Sequence, residues 1–141
     1  MADTALLTFA RAQGNDDQWI YLPALKRVKR IASSNRSGPF MASEFAYEDL
    51  AAYAVEKYRY RWLRDEPCGV ASLTCHVVER VPVYEGSGYA RQMVWIDTGE
   101  LRAVRVDYYD QRNTLLKTMT ASKWAQYDGR YWRAHDLYMV N

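Results

Sequence analysis

Eight short runs of strand-forming residues, several of them divided by compact clusters of turn formers, constrain this chain more than any other feature. The runs cover residues 4–10 (TALLTFA), 18–22 (QWIYL), 58–63, 74–81, 89–96, 103–109, 115–120 and 131–140. Between them lie Gln13-Gly14-Asn15-Asp16-Asp17, Glu85-Gly86-Ser87-Gly88, Asp97-Thr98-Gly99-Glu100, Asp110-Gln111-Arg112-Asn113 and Asp128-Gly129. Gly supplies positive φ at no steric cost, and Asn and Asp bond their own backbone, so these clusters reverse the chain within a few residues. Strands joined that tightly pair antiparallel, as a meander.

Alternation within the runs gives each strand two unlike sides. In 103–109, Val104, Val106 and Tyr108 alternate with Arg105, Asp107 and Tyr109. In 89–96, Met93 and Trp95 alternate with Val94 and Ile96, and in 58–63 Tyr58, Tyr60 and Trp62 alternate with Arg59, Arg61 and Leu63. One side is rich in large apolar and aromatic groups and the other is mixed. The expectation is a mostly β fold: a curved antiparallel sheet with an apolar concave side lined by Tyr60, Trp62, Met93, Trp95, Val104 and Val106.

Residues 31–55 break the pattern. Ala32 to Pro39 is loop by composition. Ser43 is then a good N-cap with Glu44 in the first turn, which predicts one short helix over 43–51. Phe40, Met41, Phe45 and Leu50 would give it an apolar side to lay over the sheet as a lid.

The 141 residues suit one domain, and 49% hydrophobic with 26% charged residues is the balance of a folded globular chain. A net charge of +2, from 19 basic and 17 acidic residues, gives no general argument for a nucleic-acid partner. No apolar run reaches the ~18 residues of a membrane-spanning helix. Met1 to Leu7 lacks the basic start and long apolar stretch of a secretory signal. The only dense basic cluster is Leu25-Lys26-Arg27-Val28-Lys29-Arg30-Ile31. It reads as a solvated edge whose cations discourage sheet-to-sheet aggregation, or as a site for anionic headgroups or phosphates.

Chemistry-bearing motifs are scarce. HExxH, CxxC, EF-hand, P-loop and dinucleotide fingerprints are all missing, and Gly86-Ser87-Gly88 belongs to a turn. His76 lies on the mixed side of its strand. His135 and Asp136 are strand neighbours and point to opposite faces. Glu44, Glu48 and Asp49 have no partner carboxylate placed opposite them. No catalytic site, metal or cofactor is expected. Cys68 ends one strand and Cys75 begins the next, so the pair would bridge in an oxidising compartment and stay as two thiols in a reducing one.

Two long blocks are more distinctive: DDQWIYLPALKRVKRI at 16–31 and SGPFMASEFAYEDL at 37–50, followed by WLRDEPC at 62–68, VWID at 94–97 and LLKT at 115–118. With these blocks the chain resembles the outer-membrane lipoprotein-sorting family, the LolA-like proteins of the bacterial periplasm, over almost its whole length. The resemblance implies an incomplete β-barrel with helices over a hydrophobic hollow. It also implies a non-enzymatic carrier or sensor that binds lipid or lipoprotein acyl chains there. Periplasmic location and membrane-associated transport partners follow from the same likeness, and nucleic acid is not among the partners. Residues 1–141 then read as a single LolA-like domain that lacks the family's outer N- and C-terminal parts. The alternative is an interaction module without a small ligand, a homodimer paired through open strand edges.

Overall fold

A computed structural model describes residues 3–51 and 53–141. Met1 and Ala2, part of the amino-terminal segment considered above, lie outside the described residues. The chain is mostly β, with nine strands in two antiparallel sheets among the described residues, neither of these sheets closed into a barrel. It divides into two compact units, one built from residues up to Tyr58 with Val83–Gly88, the other from Arg59–Pro82 and Tyr89–Asn141.

The first unit holds β1 (Ala5–Phe9), β2 (Asp17–Leu22) and β3 (Arg27–Ile31), in that spatial order. The basic cluster is therefore an edge strand, reached from β2 through a 3-10 turn at Pro23–Leu25 that ends with Lys26 in left-handed backbone. Direct partners in an antiparallel pair point to the same face. Leu6 faces with Ile20 and Lys29, whereas Leu7 faces with Trp19 and Arg30. Ile20 and Gln18 are buried. The Gln18 amide donates to Tyr47 O at 2.9 Å and to Thr8 Oγ1 at 3.2 Å, which ties the following loop to this side of the sheet.

The expected helix over 43–51 is only a 3-10 turn at Tyr47–Leu50. Residues Met41 and Ala42 adopt left-handed backbone, and Phe40 N–H donates to Phe45 O at 2.7 Å, so the chain doubles back before any helix can start. Ser43 serves that reversal: its hydroxyl donates to Phe40 O and accepts from Phe45 N–H. The N-terminal acceptor of the 3-10 turn is instead Asp49, which takes the Ala46 N–H at 2.7 Å. Phe40, Met41, Phe45 and Leu50 are all half-buried.

Glu48 organises the rest of this unit. Its buried carboxylate accepts from Tyr84 Oη, Ser87 Oγ and Gly88 N–H, each at 2.8 Å, fixing Val83–Gly88 in place. Burial nonetheless raises the Glu48 carboxyl above the ordinary range against these donors, and it also raises the Tyr84 phenol. Gly88 is required at its position, because a Cβ would lie 2.9 Å from Ser37 Cβ and 3.2 Å from Glu48 Oε1.

The second unit is a six-stranded meander in sequential order: β4 (Tyr58–Pro67), β5 (Thr74–Pro82), β6 (Arg91–Asp97), β7 (Ala103–Tyr109), β8 (Leu115–Tyr127) and β9 (Tyr131–Val140). Central β6 buries residues on both faces, which is why Met93 and Trp95 alternate with Val94 rather than with a polar group.

Candidate functional site

One face of the six-stranded sheet carries a continuous apolar cluster. Val77 opposes Trp95 across β5 and β6, and Cys75, Met93 and Val104 complete the buried centre with Cys68. Leu63, Leu73, Tyr109 and Trp124 pack against its margin, half-buried. Cys68 and Cys75 are joined by a disulfide with a Cα separation of 5.1 Å, which pins the β4–β5 connection to this face.

Polar groups frame the cluster. Trp95, only 8% exposed, donates its indole N–H to Glu66 Oε1 at 2.7 Å. The Arg105 guanidinium lies 4.4 Å from the Trp95 ring centroid and makes a two-point pair with Asp107 at 2.8 Å. Arg91 sits 3.7 Å over Tyr109. Hydrogen bonds from Arg64 and then Trp95 hold the Glu66 carboxyl below its ordinary range. The result is a buried aliphatic and aromatic cluster with guanidinium groups at its border.

The six residues expected to share one lining do not share a face. Met93, Trp95 and Val104 come together in the cluster. Val106 opposes Val94 and therefore points the other way. The cause is a bulge: Trp95 opposes Arg105 but Ile96 opposes Ala103, so Val104 is an extra residue that turns toward Trp95 while Val106 keeps the opposite phase. Trp62 and Tyr60 are also separated from the cluster. Trp62, 61% exposed, donates to Asp65, which meets His76 Nδ1 at 2.6 Å, and His76 opposes Ile96 on the reverse face. The partner of His76 is thus a carboxylate held down by that hydrogen bond, with no hydroxyl or thiol in the set. The lid residues Phe40, Met41, Phe45 and Leu50 belong to the first unit, whereas the apolar cluster belongs to the second.

Arg105, Glu66 and Arg91 could not be assigned to the site from spacing alone, since charged residues at alternate strand positions look like an ordinary solvated side. Only cross-strand register brings them to the border of the aromatic cluster.

This architecture has close counterparts. A family model described as an uncharacterized protein matches residues 1–141. The chain belongs to the family of that model, and its fold is LolA-like. A domain provisionally named for outer-membrane lipoprotein sorting, from Vibrio parahaemolyticus, shares 50% identity and superposes with a TM-score of 0.92 over 98% of this chain and 58% of that one. A DUF1329 family protein from Desulfovibrio piger is 30% identical, with a TM-score of 0.86 over 97% of this chain and 57% of that one. A LolA superfamily protein from Nitrosomonas europaea shares the fold at 18% identity and TM-score 0.61, over 89% of this chain and 60% of that one. The chain spans less than two thirds of each of these structures. A search of curated proteins returned no match.

Proposed function

We propose that this protein is a non-enzymatic carrier or sensor of lipid or lipoprotein acyl chains, held against the face of Met93, Trp95 and Val104. The observation that carries the reading is the match over 98% of the chain to a domain named for lipoprotein sorting. The framed apolar cluster supports it. Burial of apolar surface contributes ~25 cal/mol per Å², so an acyl chain laid on such a face can bind without a dedicated head-group pocket. Met and aromatic side chains adapt to chains of differing shape, which favours broad over narrow selectivity. The disulfide suits an oxidising compartment and supports a periplasmic setting.

Native mass spectrometry of the purified protein tests this. Adducts in the mass range of phospholipids or acylated peptides are expected, lost after delipidation and regained on adding phospholipid. A protein that is ligand-free as isolated and takes up no lipid on incubation contradicts the reading. Brominated phospholipid gives an independent check, because it should quench the tryptophan emission of the wild type more than that of a Trp95→Phe variant.

A further inference from the structure

The apolar cluster of the second unit is shut. Cys75 and Val77 are fully buried, and Trp95 is 8% exposed. For an acyl chain to reach Trp95, one of the half-buried groups at the margin must lift away. Leu63, Tyr109 and Trp124 lie within β4, β7 and β8, whereas Leu73 lies in the β4–β5 loop. A loop residue moves at lower cost than a paired strand.

That loop is strained and lightly anchored. Gly69, Val70, Ala71 and Ser72 are exposed, and Ala71 and Ser72 hold left-handed backbone with φ of 45° and 55°. This region crowds the Cβ of an L residue, so other interactions must offset the strain. Two backbone bonds close the loop on itself: Cys68 N–H donates to Leu73 O at 2.8 Å, and Leu73 N–H to Val70 O at 3.1 Å. A hollow of about 350 Å³ lies along it, lined in part by Val70 and Leu73, and gives it room to move. The Cys68–Cys75 bridge ties its two ends together.

We propose that this bridge is a latch worked by thiol exchange: its reduction releases the 69–74 loop, carries Leu73 off the cluster and uncovers Trp95. Cys68 is 9% exposed and Cys75 not at all, so a dithiol meets Cys68 first. The attacking thiolate bonds to Cys68 Sγ, the S–S bond breaks, and Cys75 leaves as a thiolate that takes up a proton. The second sulfur of the dithiol then displaces Cys68 and closes a disulfide within the reagent. Two electrons and two protons pass from the dithiol to the protein, which ends with two thiols. Opening of the loop does not rest on the carrier reading; its use, faster exchange of an acyl chain, does.

Hydrogen–deuterium exchange of the full chain, with and without dithiothreitol, tests the latch. Reduction is expected to speed exchange over residues 69–74 by roughly tenfold, the factor set by the strain of one left-handed L residue, while β6 stays protected. The Cys68→Ser and Cys75→Ser double variant should match the reduced wild type without reagent. Ala71→Gly combined with Ser72→Gly removes the strain and should blunt the response to reduction. Acrylamide should quench the reduced wild type more than the oxidised one, and that difference should vanish in Trp95→Phe. A reduced loop as well protected as the oxidised loop overturns the proposal. So does loss of protection across β6 at the same time, which is general loosening, or a loop that opens with no change in Trp95 quenching. Stopped-flow uptake of cis-parinaric acid should be faster into the reduced protein. Equal uptake rates with the loop open would overturn its role in exchange. No uptake by either form, with the loop still opening on reduction, would sink the carrier reading and leave the latch standing.

Discussion

The indole N–H of Trp95 donates to Glu66 Oε1 across 2.7 Å, and the Arg105 guanidinium covers the same ring. One aromatic side chain therefore joins three strands, β4 through its hydrogen bond, β6 through its backbone and β7 through its stacked cation. Replacing it tests that junction. Trp95→Phe keeps an aromatic ring but removes the donor and part of the volume. The expected cost is about 1–3 kcal/mol, read from urea midpoints at unchanged m-value.

Gly88→Ala should destabilise the first unit although the change adds only one methyl group. The new Cβ meets Ser37 Cβ at 2.9 Å and the Glu48 carboxylate at 3.2 Å, and neither is the free end of a flexible chain. Overpacking of this kind costs about 1–3 kcal/mol. Gly129→Ala makes the contrasting control: it has open space but positive φ, so its penalty is backbone strain alone. Thermal melts of both variants separate the two causes. Equal stability of Gly88→Ala and wild type would rule out the close approach.

The pH dependence of Glu48 has a definite sign. Burial raises its folded-state carboxyl above the unfolded value, so the folded chain binds its proton more tightly. Its contribution is fully present below the unfolded pKa and is lost as pH rises through the folded one. Glu48→Gln cannot titrate. The stability difference, wild type minus variant, should therefore shrink as pH rises from about 5 to 8. Asp97 works in reverse. Burial would raise it, but donors from Glu100 N–H and Arg102 prevail and hold it low, so its contribution is lost as pH falls through that lowered value. Denaturant titrations across the pH series check both, and a difference that grows between pH 5 and 8 contradicts the Glu48 account.

Reduction of the Cys68–Cys75 bridge should cost about 2–3 kcal/mol from the entropy of so short a loop. A matched pair of urea curves, with and without dithiothreitol, measures it. The Cys68→Ser and Cys75→Ser double variant should match the reduced wild type.

Most strands were legible because β-branched and aromatic residues cluster between Gly, Asn and Asp turns, and the 103–109 and 131–140 runs coincide with β7 and β9. β3 escaped the strand pattern because three of its five residues, Arg27, Lys29 and Arg30, are cations on an exposed edge, where pairing to Asp17–Leu22 rather than burial makes the strand. The 3-10 turn was misjudged in extent: Ser43 is as good a hydroxyl for a reversal as for an N-cap, and only the left-handed Met41 and Ala42 decide between them. The grouping of Val106 with Trp95 failed for another reason. Alternation fixes sides within a strand, but the sides of different strands are related by register, and an inserted residue is invisible to a period of two.

That inserted residue has a consequence for comparing relatives. In a strand, parity decides polarity, and Val104 changes the parity of β7 at its second residue. A related chain that loses one residue here must re-form the bulge elsewhere or exchange inside for outside at Ala103 and everything before it. An alignment would record a single gap and near-identical flanks. Physically the start of the strand would face the other way while 105–109 kept their sides.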